Sequence, residues 1–288
     1  ITHDHLDYHK SFDEYLHAKK RFFDELDENA FALTNIDDRN GKVMVQNTKA
    51  KVSTYGIRSL ADFKAKIVES HFEGMLLSIE KTDVWVKFLG EFNAYNLLAV
   101  YATSRLLGLS REDILQIISL LETVEGRFEY LRSNDGIIAV IDYAHTPDAL
   151  LNVLNAINQI RTGNEQLITV VGAGGNRDKS KRPKMARACV ENSSKVILTS
   201  DNPRFEEPDE IIKDMEAGIR EEYKNKYLII SDRREAIKTS CMMASAGDIV
   251  LIAGKGHETY QDIRGVKHHF SDKEIVAEQF MLNNTNLQ

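Results

Sequence analysis

The sequence predicts an α/β protein whose second half is built on a mostly parallel sheet. Two observations carry this. From Ile137 onward, short apolar runs alternate with stretches of helical periodicity, which is the pattern of βαβ units. Each apolar run is also followed by a cluster of unusual polar residues, as expected where the strands of an open parallel sheet end. At 288 residues the chain is long enough for two domains.

The elements follow in order. Phe12, Tyr15, Leu16, Phe22, Phe23 and Leu26 fall near helical spacing. Residues 30–34 read as a short strand, ending in the turn-like Asn35-Ile36-Asp37-Asp38. Residues 39–90 hold several β-leaning runs, among them 74–79 and 84–89, whose order the sequence leaves open. Residues 93–107 form an amphipathic helix closed by Gly108, and 114–121 a second. In the second half the strands are 137–141, 167–171, 196–199, 227–230 and 249–253. The helix after the first of these is well signalled. Thr146 suits the N-cap, Pro147 the first helical position, and Asp148 a place where the helix dipole favours an anion. Leu150, Leu151, Leu154, Ile157 and Ile160 make its core stripe.

Composition narrows the function. A hydrophobic content of 42% and a charged content of 28% fit a globular protein with a proper core. The net charge of -7 argues against a general nucleic-acid binder, which needs a basic face. No apolar run reaches membrane-spanning length, and the start does not read as a signal peptide, so no membrane insertion is expected. Cys189 and Cys241 lie far apart in helix-like stretches without metal spacing, which reads as two buried thiols in a reducing cytoplasm. The chain opens on Ile1 directly into a polar cluster and reads as a fragment of a longer protein.

Five polar loops follow the five strands and are expected to converge on one edge of the sheet. Asp142-Tyr143-Ala144-His145 follows the first. Gly172 to Lys179 follows the second and places cations after glycines, which suits an anion site or, equally, a plain βα turn. It lacks the spacing of a Walker P-loop, as does the rest of the chain. Asp201-Asn202-Pro203-Arg204 offers a carboxylate, an amide and a guanidinium on a stiffened turn, fit for an amino-acid ligand or for a capped turn with a surface arginine. Asp232-Arg233 follows the fourth strand and Gly254-Lys255-Gly256-His257-Glu258 the fifth; lone Lys and His residues in such loops are usually exposed. The run from His3 to His9 matches no structural zinc pattern and reads as a hydrogen-bonded turn or as one imidazole on an oxygen-held Mg2+.

In order along the chain, the strings Asp4 to His9, Tyr15 to Lys19, Asn35 to Asp38, Gly90 to Asn96, Glu125 to Glu129, Asp142 to Leu150, Gly172 to Pro183, Thr199 to Pro208 and Ala253 to Glu258 resemble the Mur ligase family. Residues 39–85 carry no part of the likeness. The resemblance implies that residues 1–124 are the rear of a central ATP-binding domain, without its P-loop, and that residues 125–288 are a Rossmann-like amino-acid-binding domain. It implies an ATP-dependent ligase that adds meso-diaminopimelate to UDP-MurNAc-L-Ala-D-Glu through an acyl phosphate, with ATP and Mg2+ as cofactors. The protein would be a cytoplasmic monomer, and this piece by itself would be inactive. By the same likeness, His5 is a metal ligand and Lys19 a carbamylated lysine that organises Mg2+. Carbamylation needs a neutral amine, which burial favours. Asn93, Arg127, Asp142 and His145 match nucleotide-contacting positions. Arg177, Asp201, Asn202, Pro203, Arg204, Gly254 and Glu258 match the pocket for the incoming amino acid. Asn202 with Arg204 suits the distal carboxylate of diaminopimelate, whereas lysine-adding relatives are typically acidic at the Asn202 position. A lysine-adding relative and a folylpolyglutamate synthase-like ligase are the alternative readings on the same scaffold.

Overall fold

A computed structural model describes residues 11–285, with side chains as far as Met281. His5 and its neighbours lie outside the described residues. The chain divides into two compact units, Ile1–Glu122 and Thr123–Gln288.

In the first unit, helix α1 (Phe12–Asp24) starts at Ser11, whose hydroxyl accepts the Glu14 N–H at 3.2 Å. Then come β1 (Phe31–Asn35), the short α2 (Gly41–Val45), β2 (Lys51–Gly56), β3 (Phe63–His71), β4 (Gly74–Ile79), β5 (Thr82–Val86), α3 (Glu91–Leu106) and α4 (Arg111–Leu120). The sheet runs β1-β2-β3-β4-β5, with β1, β2 and β3 parallel and the last two joined antiparallel. Met75, Leu77, Ile79, Val84 and Val86 bury one face of the β4–β5 hairpin against Leu98 and Tyr101 of α3 and Ile118 of α4. The expected strand 84–89 ends earlier because Gly90, at φ 84°, turns the chain into α3. Asp37 clamps the β2–β3 turn. Its carboxylate accepts the N–H groups of Ile57, Arg58 and Ser59 at 2.7, 2.9 and 2.8 Å and the Tyr95 hydroxyl at 2.8 Å. Burial opposes its ionisation, but these bonds outweigh it and hold the carboxyl well below the usual range.

The second unit contains β6 (Glu129–Arg132), β7 (Ile138–Asp142), α5 (Pro147–Ile160), β8 (Leu167–Val171), α6 (Arg182–Asn192), β9 (Lys195–Leu198), α7 (Pro208–Glu216), β10 (Tyr227–Ile229), α8 (Arg233–Met243) and β11 (Ile249–Ala253). The hairpin β12 (Tyr260–Ile263) and β13 (Val266–His269) and then α9 (Asp272–Thr285) close it. The sheet order is β10-β9-β8-β11-β7-β6, parallel throughout except for β6. Every residue of β7, β8 and β11 is buried, as expected for parallel strands covered on both faces. Thr146 caps α5 by accepting the Ala149 N–H at 3.2 Å, with Pro147 in the first turn. Because β11 returns between β7 and β8, the carboxyl ends of β7, β11, β8 and β9 stand side by side. That is where the polar loops meet. Among the described residues no helix is long and apolar enough to cross a membrane.

Candidate functional site

The loops after β8 and β9 touch through their backbones. Gly175 donates its N–H to the Asn202 carbonyl at 2.9 Å, and a Cβ at Gly175 would lie 1.9 Å from the Pro203 oxygen. Only glycine permits that approach. Asn176 sits at φ 53°, a conformation asparagine tolerates, and its side-chain oxygen accepts the Phe205 N–H at 3.0 Å. Glu206 accepts the Asn176 N–H and both prongs of the buried Arg182, at 3.0 and 2.8 Å; Arg182 also reaches Asp214 at 2.8 Å. The Arg182 bonds are the main reason the Glu206 carboxyl is held down at about 2.

Arg204 is held on both sides. Its N–H donates to the Asp262 carbonyl at 3.0 Å, and its own carbonyl accepts the Arg264 N–H at 2.6 Å. Its Nη1 donates to the Gly175 carbonyl at 2.7 Å and lies 3.0 Å from where a Gly174 Cβ would stand. Arg177 flanks the same glycine, its Cγ 3.8 Å from that point. The two arginines therefore share one neighbourhood. Asp201 is buried; one of its oxygens accepts the Asn202 N–H at 2.6 Å, and the other lies 2.7 Å from where Gly254 would carry a Cβ. Gly254, at φ 119°, makes room for it. Gln261 donates its amide to the Asp201 carbonyl at 2.7 Å.

Asn202 and Glu258 meet directly, the Asn202 Nδ2 donating to Glu258 Oε2 at 2.8 Å. Lys255 corrects the expectation of an exposed loop lysine. It is 0% exposed and donates from Nζ to Asn202 Oδ1 and to Glu258 Oε2, both at 3.0 Å. The loop after β10 is the second correction. Asp232 caps α8 through the Glu235 N–H at 3.0 Å, while Arg233 is buried, bidentate to Asp272 at 2.8 Å for each bond, and donates to the Ala253 carbonyl at 3.0 Å. This loop reaches the rim, where Ser231 accepts the Ser200 N–H at 3.2 Å and Arg233 holds the Ala253 carbonyl, and it serves there as a brace.

Beside these, the end of β7 carries a cationic and aromatic patch. The Arg127 guanidinium lies 4.6 Å from the Tyr143 ring centre, with His145 at 4.7 Å and His257 at 5.2 Å from the same ring. Asp142, expected to face a nucleotide, is instead buried, and its two oxygens accept the N–H groups of Phe128 and Ala144, each at 2.7 Å. Burial pushes its carboxyl up, against those bonds and the Arg127 charge. It holds the segment that carries Arg127, which sits next to Phe128 at φ 52°. His145 is tied by Nδ1 to the Tyr143 carbonyl at 2.8 Å.

In the first unit, Asn93 lies in the first turn of α3 and donates to the Leu89 carbonyl at 2.8 Å. Lys19 is exposed, its Nζ 5.0 Å from the Tyr15 ring centre, and it borders a cavity of about 470 Å³ with Asn35, Asp38 and Tyr55 among its walls. The burial expected to neutralise its amine is not found; the buried neighbour is Lys20, paired with Asp24. Among the described residues no three His, Cys, Asp or Glu side chains are grouped to hold a metal ion.

Among the described residues, Arg204 and Asn202 keep donors and Glu258 keeps one oxygen without a hydrogen-bond partner, groups of the kind that bind a carboxylate and an ammonium. Lys255, Gln261 and Asp262 escaped the sequence reading because their parts depend on partners about sixty or fifty residues away in the chain.

Comparison with known proteins agrees with this architecture. The Mur ligase middle domain model matches residues 1–104, and the Mur ligase glutamate ligase domain model matches residues 126–256. The UDP-N-acetylmuramoyl-L-alanyl-D-glutamate--2,6-diaminopimelate ligase of Bacteroides fragilis is 60% identical over 98% of this chain, which spans 58% of that protein. The protein of the same name from Aquifex aeolicus is 43% identical over 96% of the chain, which spans 57% of it. A solved structure with that name superimposes with a TM-score of 0.60 at 36% identity, over 98% of this chain and 59% of its own. The folylpolyglutamate synthase of Thermotoga maritima shares the fold, with a TM-score of 0.58 at 18% identity over 77% of this chain and 50% of its own. The chain thus spans less than two thirds of the relatives it matches, and with their middle and glutamate ligase domains both represented in it, it belongs to the Mur ligase family.

Proposed function

We propose that the second unit is the amino-acid-binding domain of an ATP-dependent ligase that joins meso-diaminopimelate to UDP-MurNAc-L-Ala-D-Glu. One observation carries this reading: Asn202 and Glu258 are hydrogen-bonded to each other and to buried Lys255, and Arg204, two residues after Asn202 on the same turn, sets its guanidinium at Gly174 beside Arg177. A diaminopimelate head has the matching carboxylate and ammonium. Relatives 60% and 43% identical carry the name of that ligase, which supports the same substrate class.

In the reaction, the D-Glu carboxyl is phosphorylated by ATP, and the amine of diaminopimelate displaces the phosphate to form the amide. This chain's part is positioning. Arg204 and Asn202 hold a carboxylate, Glu258 holds an ammonium, and the opposite amine is thereby aimed at its target; such pre-alignment is worth up to about 7–11 kcal/mol of barrier in favourable cases. Arg127, Tyr143, His145 and His257 supply a cationic, stackable surface suited to a nucleotide, with Asp142 fixing Arg127. Asn93 belongs to the nucleotide end of the first unit, whose residues we assign to the rear of the ATP-binding domain. By the sequence likeness, His5 and a carbamylated Lys19 would hold Mg2+, which would neutralise charge on the phosphoryl group in transfer. A cytoplasmic monomer fits this role.

Calorimetry on this chain tests the pocket. Meso-diaminopimelate should bind and L-lysine should bind more weakly; heat from neither overturns the reading.

A further inference from the structure

We propose that Lys255 is a positioning residue that sets the polarity of this pocket, making Asn202 a hydrogen-bond donor toward the ligand. The inference rests on the functional reading above and deepens it.

An asparagine side chain has one donor end and one acceptor end, and its neighbours decide which faces where. Here the Asn202 Oδ1 receives two donors, the Lys255 ammonium at 3.0 Å and the Asp262 N–H at 2.9 Å. Neither can accept a hydrogen bond. The Nδ2 end gives one N–H to Glu258 Oε2, which has no proton to give back when ionised. Rotating the amide by half a turn would set NH2 against an ammonium and a backbone N–H, and would set a carbonyl oxygen against a carboxylate. Every contact would become repulsive. The amide is therefore locked with its second N–H, which has no partner among the described residues, as the group left for a ligand.

The same ammonium fixes Glu258. Oε2 takes both the Lys255 and the Asn202 bonds, which leaves Oε1 to accept. Lys255 is 0% exposed, with the Tyr260 ring 5.5 Å from its Nζ, so its charge is satisfied inside the protein, and among the described residues its hydrogen bonds go to Asn202 and Glu258. One buried cation thus gives the pocket a donor face at Asn202 and an acceptor face at Glu258. A ligand with a carboxylate at the first position is accepted. One with an ammonium there meets an N–H and is refused.

Lys255→Met keeps the length and removes the donor. Titration of the unmodified chain and of K255M with meso-diaminopimelate and with L-lysine reads the ratio of their affinities. The expected result is a fall of tenfold or more in the preference for diaminopimelate, because the amide loses one of the two donors that hold its Oδ1 and Glu258 loses the cation that fixes its Oε2. A residue that served packing alone would weaken both ligands together and leave the ratio unchanged. A ratio within twofold of the original in a cooperatively melting K255M overturns the role of Lys255 and leaves the pocket standing. Binding of neither ligand by the unmodified chain overturns the pocket and this inference with it. If K255M does not fold, the Asn202 side-chain amide in the unmodified, 15N-labelled chain decides. One slowly exchanging N–H, with the other shifting on addition of diaminopimelate, supports the lock; two N–H protons exchanging at solvent rates overturn it.

Discussion

The loops around Asn202 and the helix around Lys19 are built on opposite plans. In the former, nearly every polar group is committed to another loop: Gly175 to Asn202, Asn176 to Phe205 and Glu206, Lys255 to Asn202 and Glu258, Arg204 to Gly175 and the β12–β13 hairpin. Around Lys19, itself exposed, the ion pairs are local, joining residues four apart along α1: buried Lys20 with Asp24 and exposed Arg21 with Glu25. The contrast teaches where preorganisation resides. The amino-acid pocket is shaped by its own unit, whereas the geometry at Lys19 is left to whatever meets that helix surface.

If that contrast is real, breaking the bracing of the pocket should unfold the second unit. Asp272→Ala strands the fully buried Arg233 and should cost about 3–5 kcal/mol in urea denaturation. A loss below 1 kcal/mol would mean that the rim is not held by this pair.

A smaller loss, about 2 kcal/mol, is expected for Glu206→Gln, which among the described residues leaves Asp214 as the one carboxylate on Arg182. This pair also carries a pH signature. The Glu206 carboxyl lies at about 2 in the folded chain, below its unfolded value of about 4.3, so its stabilisation is present above pH ~4.5 and is lost as the pH falls toward 2. Acid melts of the variant should be flatter than those of the parent across that window; equal slopes would remove Glu206 from the account.

Arg204→Ala should lower diaminopimelate affinity about 10- to 100-fold, about 1.4–2.8 kcal/mol, with melting shifted much less than by Asp272→Ala. Equal loss of folding and binding would show that the loop's stability and its ligand contacts are not separable. At the far end of the scale, Lys19→Met should change stability by less than about 0.5 kcal/mol, since the side chain is exposed. A larger effect in thermal melts would erase the contrast between the regions.

The sequence made the second unit's architecture readable because parallel strands buried on both faces announce themselves as apolar runs. The Thr146 cap, β8 and β11 stand where periodicity puts them. The first unit's sheet was not orderable, since its mixture of parallel and antiparallel strands follows from pairings such as Lys51 with Phe31 that no local pattern encodes. At the site, residue types on the loops pointed to the carboxyl ends of the parallel strands, where the loops after β8, β9 and β11 touch one another. Their division of labour did not show. Asp142 and Asp201 look alike as acids after strands, yet one braces Phe128 and the other packs beside Gly254. Lys255 reads as an exposed lysine until Asn202, 53 positions earlier, is folded against it.

The β12–β13 hairpin carries a last consequence. Through Asp262 it grips Arg204 and Asn202 by its own main-chain atoms, while the Gln261 side chain holds the Asp201 carbonyl, so the identity of the Asp262 side chain is released from that task and the identity of Gln261 is not. Substitution at the exposed Val266 or His268 should be harmless, while an insertion of a single residue between Gln261 and Arg264 would shear both recognition groups at once. For anyone re-engineering the pocket toward other amino acids, the hairpin and the Asp201–Arg204 turn have to be transplanted as one cassette.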